Sequence, residues 1–221
     1  MTNKLLFVIT AVLLAAVLVI AVVIERGGGA PAERAVASDR PVAAADPSRL
    51  VRPASPSLGP ADAKVTIVEF LDPACETCAV FYPEVKRMLS ANPGRIRLVT
   101  RHVPFHPGSE AVVAMLGAAQ LQDRYWETLE ALLRAQDRWV HNHRVNADDA
   151  MAVIAGVPGI DVARLKSDMG RAEVRERGAQ DLADAQALKV LKTPEYFVNG
   201  KPLPSFGLEQ LQALVADALR N

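Results

Sequence analysis

The sequence predicts an α/β domain of split βαβ…ββα layout, carrying an inserted helical block and preceded by one transmembrane helix. Three observations lead there. A charge-free apolar segment runs from Leu5 to Ile24, and an apolar, β-branched run at Val65–Leu71 passes through Cys75 and Cys78 into a helical pattern. A succession of helical repeats then ends in a short strand, a turn and a last helix.

The segment Leu5–Ile24 holds 20 residues without a charge. As a helix it would reach about 30 Å, the thickness of a bilayer core. A cleavable signal peptide would have an apolar core of about 7 to 15 residues with a small-residue cleavage site soon after it. Ala30-Pro31-Ala32 and Ala35-Val36-Ala37 could mimic such sites but lie well beyond the apolar end. Residues 1–26 are therefore expected to be an uncleaved membrane anchor, with a cleaved signal as the alternative. Residues 27–60 are dominated by Ala, Pro, Gly and Ser without apolar periodicity, the composition of a linker.

The folded domain is expected over 61–221. Its pattern gives a strand at 65–71, a helix at 78–91 and a strand at 95–103, followed by helices at 110–121, 125–133, 147–155, 162–169 and 173–188. Gly156-Val157-Pro158-Gly159 interrupts this helical block, which occupies about 107–189. The chain closes with a strand at 196–198, an Asn199-Gly200 turn, a short returning strand and an amphipathic helix at 208–219. Tyr125 and Trp126, at helical spacing with Leu129, Leu132 and Leu133, read as helical core.

Charge gives no reason to expect nucleic acid, because 25 basic residues balance 25 acidic ones. Two cysteines exclude a disulfide-stapled scaffold and leave one thiol pair for chemistry. That pair, Cys75-Glu76-Thr77-Cys78, falls where a strand turns into a helix. There the unpaired N–H groups and the helix dipole favour a thiolate on the first cysteine, below the free value of about 8.5. Cys75 is thus the expected nucleophile and Cys78 the resolving partner. Zinc needs four ligands, or three and a water. No second cysteine pair exists and His102, His106, His141 and His143 have no standard spacing to the first, so no metal is expected. His141-Asn142-His143 reads as a solvated loop, and His102 and His106 as packing or loop residues. A purely structural disulfide is disfavoured because so short a loop constrains the unfolded chain little.

The domain resembles the thioredoxin fold as modified in the DsbA family of thiol-disulfide oxidoreductases. The resemblance rests on Gly59-Pro60-Ala61-Asp62-Ala63-Lys64 leading into Val65–Phe70, on Cys75-x-x-Cys78, on Pro83 five residues further on, and on Thr193-Pro194 before Glu195-Tyr196-Phe197-Val198-Asn199-Gly200. It implies a cis bond at Thr193-Pro194, and a Thr193 backbone that pairs with an incoming peptide in strand-like fashion. It also implies a buried acid at Glu69, six residues before Cys75, which could relay the proton of the resolving thiol. Strongly oxidising members carry a histidine between the cysteines, whereas here stand Glu76 and Thr77 as the tuning residues. A carboxylate beside Cys75 disfavours its thiolate and makes a less oxidising disulfide.

These residues describe an enzyme exchanging disulfides with protein substrates. It needs no cofactor beyond its own dithiol and would be served by a membrane redox partner. A reductase or isomerase kept reduced by such a partner, and a non-enzymatic module binding a soft ion through two thiolates, stay open as alternatives. Lys4 precedes the apolar span while Arg26, Arg34 and Arg40 follow it, which argues mildly against export of the C-terminal side. A lone dithiol works best in an oxidising, extracytoplasmic space, and the domain is expected there.

Overall fold

A computed structural model describes residues 45–221. In chain order the elements are α1 (Pro47–Leu50), β1 (Ser57–Leu58), β2 (Val65–Leu71), α2 (Glu76–Ala91), β3 (Ile96–His102), α3 (Ser109–Gln120), α4 (Tyr125–Arg134), β4 (Val140–His141), β5 (Arg144–Val145), α5 (Ala147–Ile154), α6 (Val162–Asp168), α7 (Ala172–Ala187), β6 (Glu195–Val198), β7 (Lys201–Pro202) and α8 (Leu208–Arg220). A 3₁₀ turn at Gln136–Arg138 links α4 to β4.

Five strands make the main sheet in the order β1-β3-β2-β6-β7. The central pair β2 and β3 is parallel, with Val65 opposite Ile96 and Leu71 opposite His102, and β6 joins β2 antiparallel. Both outer strands are two residues long. Strand β2 reads as a near-continuous apolar run because both its faces are covered. Val65, Ile67 and Leu71 pack into the larger core with Phe81 and Val85 of α2, Leu211 and Val215 of α8, and Leu116, Leu129 and Trp139 of the insertion. Val68 and Phe70 alternate to the opposite face and meet Leu50, Val99, Ala185, Val190 and Phe197. Glu69 thus belongs, by alternation, to the face carrying Ile67 and Leu71.

The helical insertion is present as α3–α7 between β3 and β6. The Asn199-Gly200 turn has φ of 47° and 80°, the doubly positive backbone that a two-residue hairpin demands. Gly59 is also required as glycine, because a Cβ there would stand 2.3 Å from the Ile96 carbonyl oxygen.

One expectation needs correction. The linker does not extend to Pro60 over its described part, since residues from Ala45 onward pack on the domain. Leu50 is buried in the second core, Ala45 N–H donates to the Gly200 carbonyl, and β1 pairs antiparallel with β3. Composition hid this segment because polar contacts hold it. Buried Arg101 donates to Asp181 at 2.6 Å, to Asp184 at 2.7 Å and to the carbonyls of Arg49 and Leu50 at 2.6 and 3.1 Å. Arg52 grips Asp184 with two bonds of 2.8 and 2.7 Å. Burial alone would raise the Asp184 carboxyl, but the bonds from Arg52 and Arg101 outweigh it and hold the group well below the usual carboxylate range.

The solvated loop at His141–His143 is exposed as expected. It is the tip of a β4–β5 hairpin, with His141 opposite Arg144 and Asn142 and His143 at φ of 51° and 57°. Asn and His tolerate this left-handed region better than most residues, so the turn forms without the Asn-Gly signature. The expected anchor at Leu5–Ile24 lies outside the described residues. Among the described residues, no helix is long and apolar enough to cross a membrane.

Candidate active site

Strand β2 ends at Leu71, and the next four residues turn the chain into α2. Buried Asp72 organises that turn. It accepts from the N–H of Ala74 at 2.9 Å, of Phe105 at 2.7 Å and of His106 at 2.8 Å. It also accepts from the Ser109 hydroxyl and from His106 Nδ1 at 2.7 Å. Gln136 secures the neighbouring Pro73 carbonyl at 2.9 Å. One carboxylate therefore ties the loop before the cysteines to the loop after β3.

Cys75 is the N-cap of α2, and its sulfur accepts the Cys78 N–H at 3.4 Å. A thiolate there performs the capping task usually given to Ser or Asp. Both cysteines are free thiols. Cys75 is 5% exposed and Cys78 is 0% exposed. Hydrogen bonding to Cys78 lowers the Cys75 thiol most. Burial opposes this, while Thr193 and the backbone N–H groups of Cys78 and Thr77 add to it, bringing the group from 9.0 to about 6. Burial pushes Cys78 well above its ordinary value, helped by Cys75 and by the charge of Glu69. Pro83 lies inside the same helix and cannot donate to the carbonyl one turn back.

The Thr193-Pro194 bond is cis. The Thr193 carbonyl accepts from the Cys75 sulfur at 3.3 Å, so this loop borders the first thiol. Glu69 is fully buried. Its register partner on β6 is Tyr196, whose hydroxyl donates to Glu69 Oε1 at 2.8 Å, while Oε2 has no partner. Burial raises the Glu69 carboxyl from 4.5 to about 8, the Tyr196 bond opposing this only in part.

Glu76, by contrast, points its carboxylate at His143 Nδ1, 2.9 Å away and half-exposed. Sequence reasoning missed Asp72, although Asp-Pro is a turn-initiating pair. It also missed the approach of Glu76, His106 and His143, whose donor atoms lie within 4.8 Å of one another. No spacing rule reaches across three separate elements.

The thioredoxin family's sequence profile matches residues 52–217. The chain belongs to the thioredoxin family, in its DsbA type with the helical insertion. A thioredoxin-like oxidoreductase from Silicibacter pomeroyi DSS-3 superimposes with a TM-score of 0.69 at 31% identity, covering 80% of this chain and 99% of that one. Oxidised BdbD from Bacillus subtilis superimposes at 0.66 with 22% identity, covering 76% and 94%, a likeness of fold alone. The probable disulfide bond formation protein D of Bacillus anthracis is 30% identical over 154 residues, 65% of this chain and 69% of that protein. The Na(+)/H(+) antiporter NhaA of Herminiimonas arsenicoxydans is 31% identical over 145 residues, 66% of this chain but 22% of the antiporter. The chain spans about a quarter of the length of the first curated relatives it matches.

Proposed function

We propose that this protein is an extracytoplasmic thiol-disulfide oxidoreductase that donates its Cys75–Cys78 disulfide to protein dithiols, tethered to the membrane by Leu5–Ile24. The observation that supports it most is the asymmetry of the two thiols. Cys75 caps a helix and is held near 6, whereas Cys78 is fully buried and held high.

In the forward reaction a substrate thiolate attacks the Cys75 sulfur of the disulfide, and the Cys75–Cys78 bond breaks. The Cys78 sulfur leaves with the electron pair and takes a proton from the Glu69 carboxylic acid. A second substrate thiolate then attacks the substrate sulfur of the mixed disulfide and expels Cys75 as a thiolate. The substrate loses two electrons, the enzyme gains them, and a membrane redox partner reoxidises the dithiol. A stabilised Cys75 thiolate favours the reduced enzyme and hence a strongly oxidising disulfide.

In this reading Thr193 and Pro194 bind the substrate backbone beside Cys75. Exposed Leu191 and Phe206, the latter under Lys192, give an unfolded chain apolar contacts near that loop. We assign the tuning of Cys75 to the N–H groups of Thr77 and Cys78, while the charge of Glu76 is largely taken up by His143 and solvent. The DsbA-type relatives with disulfide-forming names support the direction of transfer.

The test mixes the disulfide form of the full-length chain with a dithiol peptide and follows both partners by alkylation. Disulfide should pass to the peptide as Cys75 and Cys78 become free, and Cys75→Ser should abolish transfer. No transfer, or transfer surviving in Cys75→Ser, would refute the proposal. In quenched cells the pair should be mainly oxidised, and a mainly reduced pair would reverse the assigned direction.

A further inference from the structure

We propose that Glu76, His106 and His143 form a site for one divalent cation of the zinc or copper class at the rim of the dithiol centre. The three side chains come from the first residue of α2, the loop after β3 and the tip of the β4–β5 hairpin, and one donor atom from each lies within 4.8 Å of the others. Two imidazoles and a carboxylate are the donor set that borderline cations select, with a remaining position for water.

The tautomer of His106 suits this task. Its Nδ1 stands 2.7 Å from Asp72 Oδ2, a carboxylate oxygen that can only accept, so Nδ1 carries the proton and Nε2 the lone pair. Asp72 is itself fixed by three backbone N–H groups. A ligating histidine backed by an anchored carboxylate is the arrangement that fixes tautomer and ring direction at metal centres.

Glu76 and His143 are already neighbours, with His143 Nδ1 and Glu76 Oε1 2.9 Å apart, a hydrogen-bond distance whose proton a bound cation would replace. Ligands about 2.0–2.2 Å from a tetrahedral ion stand about 3.4 Å from one another. The His106 ring lies beside this pair, its centroid 6.4 Å from that of His143. As an ion pair the Glu76–His143 contact would contribute little, because the two side chains are 53% and 77% exposed. A cation gives the convergence of two histidines and a carboxylate a purpose that pair energetics does not.

The site is separate from the thiols, so it survives in the disulfide form and does not depend on the oxidoreductase reading. Zinc alone is titrated calorimetrically into the full-length chain with the Cys75–Cys78 disulfide closed, which removes both sulfurs as ligands. One ion per chain should bind. His143→Ala and Glu76→Gln should each weaken binding at least tenfold, and His141→Ala, on the same hairpin, should leave it unchanged. The imidazole resonances of His106 and His143 should shift with zinc while those of buried His102 stay in place. Absence of one-to-one binding, or an affinity indifferent to His143→Ala, would overturn the proposal.

Discussion

Replacing Glu69 by Gln tests the central electrostatic feature of the site through stability. The native carboxyl is raised by burial, so between its unfolded and folded values the native state holds a proton that the unfolded chain has released. Stability from this group is fully present below pH 4.5 and is lost as pH rises through about 8. The interval from 4.5 to about 8, at about 1.4 kcal/mol per pH unit, bounds the loss at about 5 kcal/mol. The assay is urea unfolding of the disulfide form at pH 5 and pH 8.5, where neither cysteine titrates. His102, buried and lowered by that burial, contributes equally to both proteins and cancels in the comparison. The wild type should lose several kcal/mol more than Glu69→Gln across this range. Parallel slopes in the two proteins would refute a buried, raised carboxyl at this position.

Further predictions follow from the same geometry. Thiolate absorbance of the reduced protein should rise with a midpoint near 6, and Cys78→Ser should move that midpoint upward because the largest lowering contact is altered. Since the Cys75 value is depressed on folding, the stability of the reduced protein relative to Cys75→Ser should increase as pH rises from about 6 towards 9.0, the Glu69 contribution being common to both. Cys78→Ser should trap substrates as mixed disulfides on gels run without reductant, whereas Cys75→Ser should trap few. Arg101→Met should cost about 3–5 kcal/mol in urea unfolding, because it leaves Asp181 and Asp184 buried without that cation.

Much of this is legible in the amino-acid sequence. Val65–Leu71 announced itself as a strand because it is covered on both faces, and its bounds agree with the structure. Helix α2 was readable from its apolar spacing, although its start lies two residues earlier than the pattern at Cys78 suggests, because its first two residues, Glu76 and Thr77, are polar. The Asn199-Gly200 hairpin carried its signature in two letters. What stayed hidden has a common cause, which is stabilisation by polar groups distant in sequence. The segment 45–58 is held by Arg101, Asp181 and Asp184 rather than by a periodic apolar face. The β4–β5 hairpin turns on Asn142-His143 without a glycine. Asp72 joins loops more than thirty residues apart in the chain. Glu69 was picked out as an isolated acid in an apolar strand, and its complete burial follows from the central place of β2.

The sheet's margins have a consequence under the proposed function, in which unfolded polypeptides are the substrates. Strand β1 is two residues long and bracketed by Pro56 and Pro60, and β7 contains Pro202, which has no N–H to offer. Neither margin presents the long row of unsatisfied donors and acceptors on which foreign chains nucleate aggregates. On that proposal, a non-native client passing over this surface finds no edge to extend. Its one proposed backbone contact is then Thr193, whose carbonyl lies 3.3 Å from the Cys75 sulfur.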